Sequence, residues 1–289
     1  MIVLVWEPVL DLFENEMSQK GFYYWDKSFQ DFKNEFNVDA QQKAPFYLSL
    51  DFYRQQRPEL TNRGWYVIRL GQGNFGIFDS NQFRKPYLDL STENAEDICI
   101  QPVHSHRHMR KAFKSLDYSL KSAENSLLEL ARFYNIFETM VQYVDGSPEY
   151  RVGPRGLMTQ KFDLYFKRRN NGFERFVYDG QVELDYSVWT ENRVFVVEAK
   201  SLSRSGLDIG WHKMAFPSCR FVKQVLEDGL KINPVYFLRT RIEGKHVILL
   251  FIFTEMEFKD EGIVLNNERR WNLIKVFKVN IDQIDSELR

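Results

Sequence analysis

Residues 180–200 read GQVELDYSVWTENRVFVVEAK, and this stretch predicts two strands joined by a short polar loop. The first strand is expected over residues 180–189 and the second over residues 193–200. Side chains alternate between the two faces of a strand, so Glu183 and Asp185 should share one face, as should Glu198 and Lys200. The second strand is apolar until it ends in this charged pair. The stretch therefore predicts a sheet in which a buried strand finishes beside carboxylates.

Buried charges of this kind are costly unless they have partners. A metal ion bridging Asp185 and Glu198, with Lys200 beside it, would provide those partners. Mg²⁺ prefers oxygen ligands and keeps several waters, so two carboxylates can hold it and leave positions for a phosphate oxygen and a nucleophilic water. Lys200 would orient or deprotonate that water, or stabilise charge on the reacting phosphate. We therefore predict phosphodiester hydrolysis with Mg²⁺, for which Mn²⁺ can substitute. The alternative is a pair of ordinary edge strands with solvated charges, which leaves the apolar approach to Glu198 unexplained.

The flanking sequence predicts an α/β (α+β) fold with a mostly central sheet. A long helix is expected over residues 115–140 and a shorter one over residues 219–229. Further strands are expected around the residues of the quoted stretch, at 161–167, 234–240 and 246–253.

The first hundred residues predict helices at 26–36 and 47–54, followed by strands at 65–70 and 75–78. Helices followed by a hairpin are typical of a winged helix, and also of many other small α+β domains. Gly71, Gly73 and Gly76 form a GxGxxG pattern, but a strand and not a helix follows it. We therefore interpret the pattern as a glycine-rich hairpin turn and not as a dinucleotide site.

Length and composition set the limits of the function. The 289 residues exceed a typical single domain, and a polar, basic segment near residues 92–112 separates two periodic regions. We predict an N-terminal domain over 1–105, for DNA recognition or dimer contacts, and a nuclease domain over 106–289.

A net charge of -1 argues against a sequence-independent nucleic-acid coating protein, although a local basic groove remains compatible with it. The two cysteines provide no disulfide framework or zinc ribbon, and no apolar run reaches membrane-spanning length, so we expect a cytoplasmic protein.

The segments Glu183-Leu184-Asp185 and Glu198-Ala199-Lys200 resemble the motif of the PD-(D/E)xK nuclease superfamily, in which most type II restriction endonucleases are found. Leu184 replaces the usual proline. The resemblance implies a mixed central sheet flanked by helices, and sequence-specific hydrolysis of double-stranded DNA in a prokaryotic restriction-modification system. It also implies a cognate DNA methyltransferase as genetic partner. We expect a homodimer, because a two-fold enzyme cuts both strands of a palindrome with equivalent sites.

Residues 115–260 also resemble one restriction-associated nuclease family within that superfamily. Its acidic helix residue, a further metal ligand, would correspond to Glu124, with Glu129 and Glu138 as alternatives. Its GR, QxExD and Tyr-Pro-x-x-Arg segments would correspond to Gly153-Pro154-Arg155, Gln181–Asp185 and Phe216–Arg220, the first interrupted and the last with Phe for Tyr. The resemblance thus implies that Arg155 and Arg220 contact DNA. Gln181 is a candidate polar contact within the site, and the alternative is that it faces solvent.

The basic cluster at residues 167–169 precedes Asn170, Asn171 and Gly172, which indicate an exposed loop. Arginine and asparagine can recognise guanine and adenine edges in the major groove, so we predict that Arg168, Arg169 and Asn170 contact DNA.

Two other functions stay open. One is a repair or junction-resolving nuclease of the same fold, which would cut by DNA structure; the other is a catalytically inactive DNA-binding regulator.

Overall fold

The computed structural model of the chain describes residues 6–38, 43–91, 94–97, 124–147, 149–200, 208–266 and 272–280. Over these ranges the protein is a mixed α+β structure with several sheets and a few helices, as the sequence predicts. The predicted domain boundary at 105/106 lies outside the described residues. No described helix is both long enough and apolar enough to cross a bilayer.

The N-terminal part packs short helices against a three-stranded antiparallel sheet with strand order β1-β3-β2. Its elements are α1 (Glu7–Lys20), β1 (Phe22–Trp25), α2 (Phe29–Glu35), α3 (Ala44–Leu48), a 3-10 turn (Tyr53–Gln55), α4 (Pro58–Thr61), β2 (Trp65–Gly71) and β3 (Asn74–Asp79). Ser28 and Asp31 form a capping box that fixes the start of α2. The sequence prediction of one helix over 47–54 is wrong: α3 ends at Leu48, and only the short 3-10 turn follows.

The GxGxxG pattern is a hairpin turn between β2 and β3, which confirms its interpretation from sequence. Gly71 and Gly73 have φ of 109° and 96°, a backbone region that favours glycine. A Cβ on Gly71 would lie within 1.8 Å of the Asp179 carbonyl oxygen, so this turn needs glycine to approach the neighbouring strand.

The predicted single helix over 115–140 is also wrong in its described part. The structure has α5 (Glu124–Phe133) and α6 (Ile136–Asp145), separated at Asn135, whose φ of 55° is left-handed. Asparagine tolerates this conformation, and the apolar spacing continues across the break, which is why the sequence pattern conceals it. Residues 115–123 lie outside the described residues.

The predicted strand over 180–189 is two strands that belong to two different sheets. A hairpin pairs β7 (Gly156–Lys167) with β8 (Phe173–Leu184), and β9 (Tyr186–Trp189) begins after Asp185. The hairpin belongs to a four-stranded sheet, whereas β9 belongs to a seven-stranded one. The prediction was wrong because polar and apolar residues keep alternating through the break. Asp185 consequently lies where the chain passes from one sheet to the other.

In the seven-stranded sheet, β10 (Arg193–Lys200) is antiparallel to β9 and parallel to β12 (Lys231–Ile242), so the sheet is mixed. Its other strands are β5 (Glu96–Asp97), β6 (Arg151–Val152), β13 (Lys245–Phe253) and β16 (Leu273–Asn280). The strand order is β5-β16-β13-β12-β10-β9-β6. The remaining elements are β4 (Tyr87–Asp89), β11 (Asp208–Gly210), β14 (Phe258–Lys259), β15 (Gly262–Val264), α7 (His212–Ser218) and α8 (Val222–Asp228).

The two faces of β10 belong to different hydrophobic clusters. Phe195, Val197 and Ala199 pack in the cluster that contains α5 and α6. Val194 and Val196 face the other cluster, which includes β8, α7 and residues of β2 from the N-terminal part. By alternation, Glu198 and Lys200 continue this second face. The fold therefore places the charged end of β10 between β8, α7 and the N-terminal part.

Candidate active site

A cleft of about 110 Å³ opens at the end of β8, with room for a cation and several waters. It is lined by Leu48, Ser49, Arg69, Tyr178, Gln181, Val182, Glu183, Asp185, Glu198, Lys200, His212, Lys213, Phe216 and Pro217. Four of the predicted site residues are among these: Gln181, Asp185, Glu198 and Lys200. The fold thus brings both charged segments of the quoted stretch into one cleft.

Asp185 is held by the strand that carries the other two charges. The backbone N–H of Ala199 donates a hydrogen bond to Asp185 Oδ2 at 2.8 Å. Ala199 lies between Glu198 and Lys200, so this bond fixes the carboxylate of Asp185 beside the end of β10. Glu183, two residues earlier, also lines the cleft, although its side chain is exposed.

Glu198 and Lys200 form a buried ion pair, with Lys200 Nζ 2.6 Å from Glu198 Oε1. The two residues are only 4% and 7% exposed. The cost of removing two charges from water often exceeds their mutual attraction, and apolar residues of similar size would commonly stabilise a core as well or better. Stability alone is therefore a weak reason for this pair at the end of an apolar strand.

The sequence interpretation missed an acid and a base that adjoin this pair. Lys213 of α7 lies with its Nζ 2.9 Å from Oδ1 of Asp51, which belongs to the N-terminal part. Burial lowers the pKa of Lys213, but Glu198 and Asp51 outweigh it, and the pKa is raised overall. Burial alone would raise the pKa of Asp51, but the nearby charges of Lys213 and Lys200 have the larger combined effect, so the pKa of Asp51 is lowered overall. Both groups are therefore charged at neutral pH.

His212 is the other missed group, and it is buried beside Lys213. Burial, and to a smaller extent the neighbouring Lys213, lower the pKa of its imidazole to about 3, against opposing effects of Asp51 and a hydrogen bond with the Leu50 backbone. Its Nδ1 has no hydrogen-bond partner among the described residues. His212 is thus a neutral polar group in the cleft at physiological pH. No spacing in the sequence pointed to it, although the Phe216-Pro217 segment from the same helix was expected near the site.

The predicted DNA-contacting residues are not gathered in the cleft. Arg155 is exposed and pairs with Glu129 of α5 at 3.0 Å, and Arg220 is exposed after α7. Arg168, Arg169 and Asn170 lie at the turn between β7 and β8. The 12 residues of β8 separate this turn from Asp185 by about 40 Å along the strand.

Glu124, the predicted acidic helix residue, begins α5, but its side chain lies outside the described part of the structure. Helix α5 packs on the face of β10 opposite to Glu198 and Lys200. Its Glu129, one of the alternatives, is engaged with Arg155. Glu138, the other alternative, is exposed on α6.

The donor set fits a hard divalent cation. Within the described residues, no group of three or more His, Cys, Asp or Glu side chains stands ready to hold a metal. Mg²⁺, however, is commonly bound through one or two carboxylates, with waters and substrate phosphates as the remaining ligands. Asp185 and Glu198 meet that smaller requirement.

In a comparison with protein-family models, residues 84–271 match a domain of unknown function (DUF6997). This range covers more than half of the chain and includes β7 to β15, α5 to α8 and the charged residues of β10. Searches of curated proteins and of solved structures found no match.

Proposed function

This chain belongs to the DUF6997 family, and we propose that it is a Mg²⁺-dependent nuclease that hydrolyses DNA phosphodiester bonds. The convergence of Asp185, Glu198 and Lys200 in one cleft carries the proposal. These residues come from the ends of two strands, and two of them are buried charges for which stability provides a weak reason. Buried charged groups that line a cleft are candidates for a functional site.

The arrangement of the sheet supports the PD-(D/E)xK assignment. Strand β10 pairs with β9 in antiparallel fashion and with β12 in parallel fashion, and α5 and α6 cover one face. A mixed sheet flanked by helices, with an acid before one strand and ExK at the end of the next, is the arrangement that the sequence resemblance implies.

Each of the three residues has a distinct role in the proposed reaction. Asp185 and Glu198 would hold Mg²⁺, and the Ala199 N–H keeps the Asp185 carboxylate oriented toward the end of β10. The bound metal would polarise the scissile phosphate and lower the pKa of the attacking water. Lys200 lies beside Glu198, where its ammonium donates hydrogen bonds to the water or to a phosphate oxygen and stabilises developing negative charge.

The N-terminal part supports a substrate as large as double-stranded DNA. Its helices and its hairpin occur in the order typical of a winged helix, and Leu48, Ser49 and Arg69 form one wall of the cleft. Recognition and cleavage surfaces would then be continuous. With the sequence resemblance, this supports a type II restriction endonuclease that acts as a homodimer on sites a cognate methyltransferase modifies.

Cleavage of unmethylated phage DNA by the purified protein tests this proposal. Mg²⁺ should give discrete fragments, whereas EDTA or the Lys200→Ala variant should give none. The Lys223→Ala variant, which removes an exposed lysine of α8, serves as the matched control and should cut like the native protein. The proposal fails if the native protein cuts no linear, branched or methylated DNA, or if Lys200→Ala cuts normally.

A further inference from the structure

We infer that Arg69 and Lys213 form a phosphate-binding subsite in the cleft, which holds a DNA backbone phosphate next to the scissile one. This inference rests on the proposed nuclease function and deepens it. It assigns roles to two cations on the side of the cleft where the N-terminal part meets α7.

Arg69 is a charged residue in an otherwise apolar strand. It is the one partly exposed position of β2, whose other residues are buried, and it lines the cleft. Its Nη1 donates a hydrogen bond to Ser49 Oγ at 3.1 Å, and it forms no ion pair with any carboxylate that the structure describes. A guanidinium has five N–H donors in a planar fork that matches phosphate geometry. Arg69 therefore retains donors for a ligand in the cleft.

Lys213 provides a second cation whose position is fixed by the N-terminal part. Asp51 accepts one bond from its ammonium at 2.9 Å, while the lysine side chain remains 30% exposed and lines the cleft. An ammonium carries three N–H donors, so the contact with Asp51 orients Lys213 and leaves donors for a ligand. The proximity of Glu198 and Asp51 keeps the pKa of Lys213 high despite its burial, so it remains a cation.

The charge balance of the cleft favours an anionic ligand once a divalent cation is bound. The lining contains three cations, Arg69, Lys200 and Lys213, and three carboxylates, Glu183, Asp185 and Glu198. Asp51, which pairs with Lys213, adds a fourth carboxylate, so these groups sum to −1, and a divalent cation at Asp185 and Glu198 would make the sum +1. The scissile phosphate would bind at the cation, which leaves Arg69 and Lys213 as donors for a neighbouring phosphate.

Binding of a fluorescein-labelled DNA duplex, measured by anisotropy in EDTA at several salt concentrations, tests the subsite without cleavage. Arg69→Gln should weaken binding by about tenfold or more, and should reduce the slope of log K against log salt by about one. Arg69→Lys should retain the native slope. Arg63→Gln is the matched control, because Arg63 lies in the N-terminal part away from the cleft and is paired with Asp11 and Glu14.

Two further variants guard against a folding defect. Ser49→Ala keeps the charge but removes the hydrogen bond that orients Arg69, and it should weaken binding less than Arg69→Gln does. Lys213→Met should reduce the salt slope by about one, like Arg69→Gln. Circular-dichroism melting of each variant identifies any that is unfolded.

The outcomes separate this inference from the proposed function. If the native protein cuts DNA but Arg69→Gln and Lys213→Met bind it with native affinity and slope, the subsite is wrong and the nuclease stands. If the native protein binds DNA through Arg69 and Lys213 but never cuts it, the subsite stands and the nuclease fails. If it neither binds nor cuts DNA, both are wrong.

Discussion

Strand β8 joins two regions that both carry charged side chains but differ in their surroundings. At its first end, Arg168 is bound to Glu174 at 2.8 Å, to Gln82 at 3.0 Å and to the Lys20 carbonyl at 2.8 Å. At its other end, Asp185 lies in a cleft with Glu198 and Lys200, which are buried against each other. At the first end, the charge connects the hairpin to the N-terminal part. The charges at the second end surround a space that a ligand can enter.

This contrast teaches that the partners of a charge, more than its sequence context, indicate its function. Arg168 precedes two asparagines and a glycine, which suggested an exposed DNA-reading loop. Its donors are instead directed to groups within the protein, and the side chain is only 21% exposed. A substitution at one end of β8 leaves the other end unchanged as a reference.

The largest effect is expected at the cleft end, from Asp185→Asn. This change removes one metal-ligating charge but keeps the size of the side chain, and the cleavage rate should fall by about a thousandfold. Asp163→Asn is the matched control, because Asp163 lies on the same hairpin and pairs with Arg175 outside the cleft. Its cleavage rate should stay within about twofold of native. Equal rates for both variants would remove Asp185 from the mechanism.

A second effect at the cleft end concerns stability against pH. Burial holds the pKa of His212 at about 3, below the value of about 6.5 expected in the unfolded chain. As pH falls below 6.5 the unfolded chain binds a proton that the folded protein does not, so stability is lost toward low pH. Between pH 6.5 and 5 this effect should lower the free energy of unfolding by about 1.5 kcal/mol. Urea unfolding of His212→Gln should lack that part of the pH dependence; an unchanged profile would contradict a neutral, buried His212.

The smallest effect is expected at the turn end, from Arg168→Gln. Loss of the contacts to Glu174, Gln82 and the Lys20 carbonyl should lower the free energy of unfolding by about 1 kcal/mol, because the pair with Glu174 is partly solvated. The cleavage rate at a temperature where the variant is folded should remain native. A variant with native stability but weakened DNA binding would instead support the sequence prediction that Arg168 contacts DNA.

The core of the candidate site could be predicted because it is local in sequence. Strand alternation and the apolar residues before Glu198 were enough to place Glu198 and Lys200 on one face of a strand, and a short loop connects this strand to the one before it, near Asp185. Asp51 and Lys213 could not be found in this way, because only tertiary packing brings them together. The same reason explains the missed His212, whose role depends on its burial.

The fold was predictable where periodicity agrees with structure and not where it continues through a break. Strands β10, β12 and β13 follow their apolar runs, so their positions were confirmed within a few residues. Asn135 and Asp185 interrupt elements without interrupting the hydrophobic pattern. At both positions a backbone change, and not a change of side-chain type, ends the element.

The most direct test of the central claim is whether Asp185 and Glu198 hold a divalent cation, because it requires no knowledge of a recognition sequence. Titration calorimetry with Mn²⁺ should give saturable binding to the native protein and at least a tenfold weaker affinity for Glu198→Gln. The Glu227→Gln variant, which alters an exposed carboxylate of α8, should bind like the native protein. The same Mn²⁺ affinity in all three proteins, or no binding by any of them, would contradict the account.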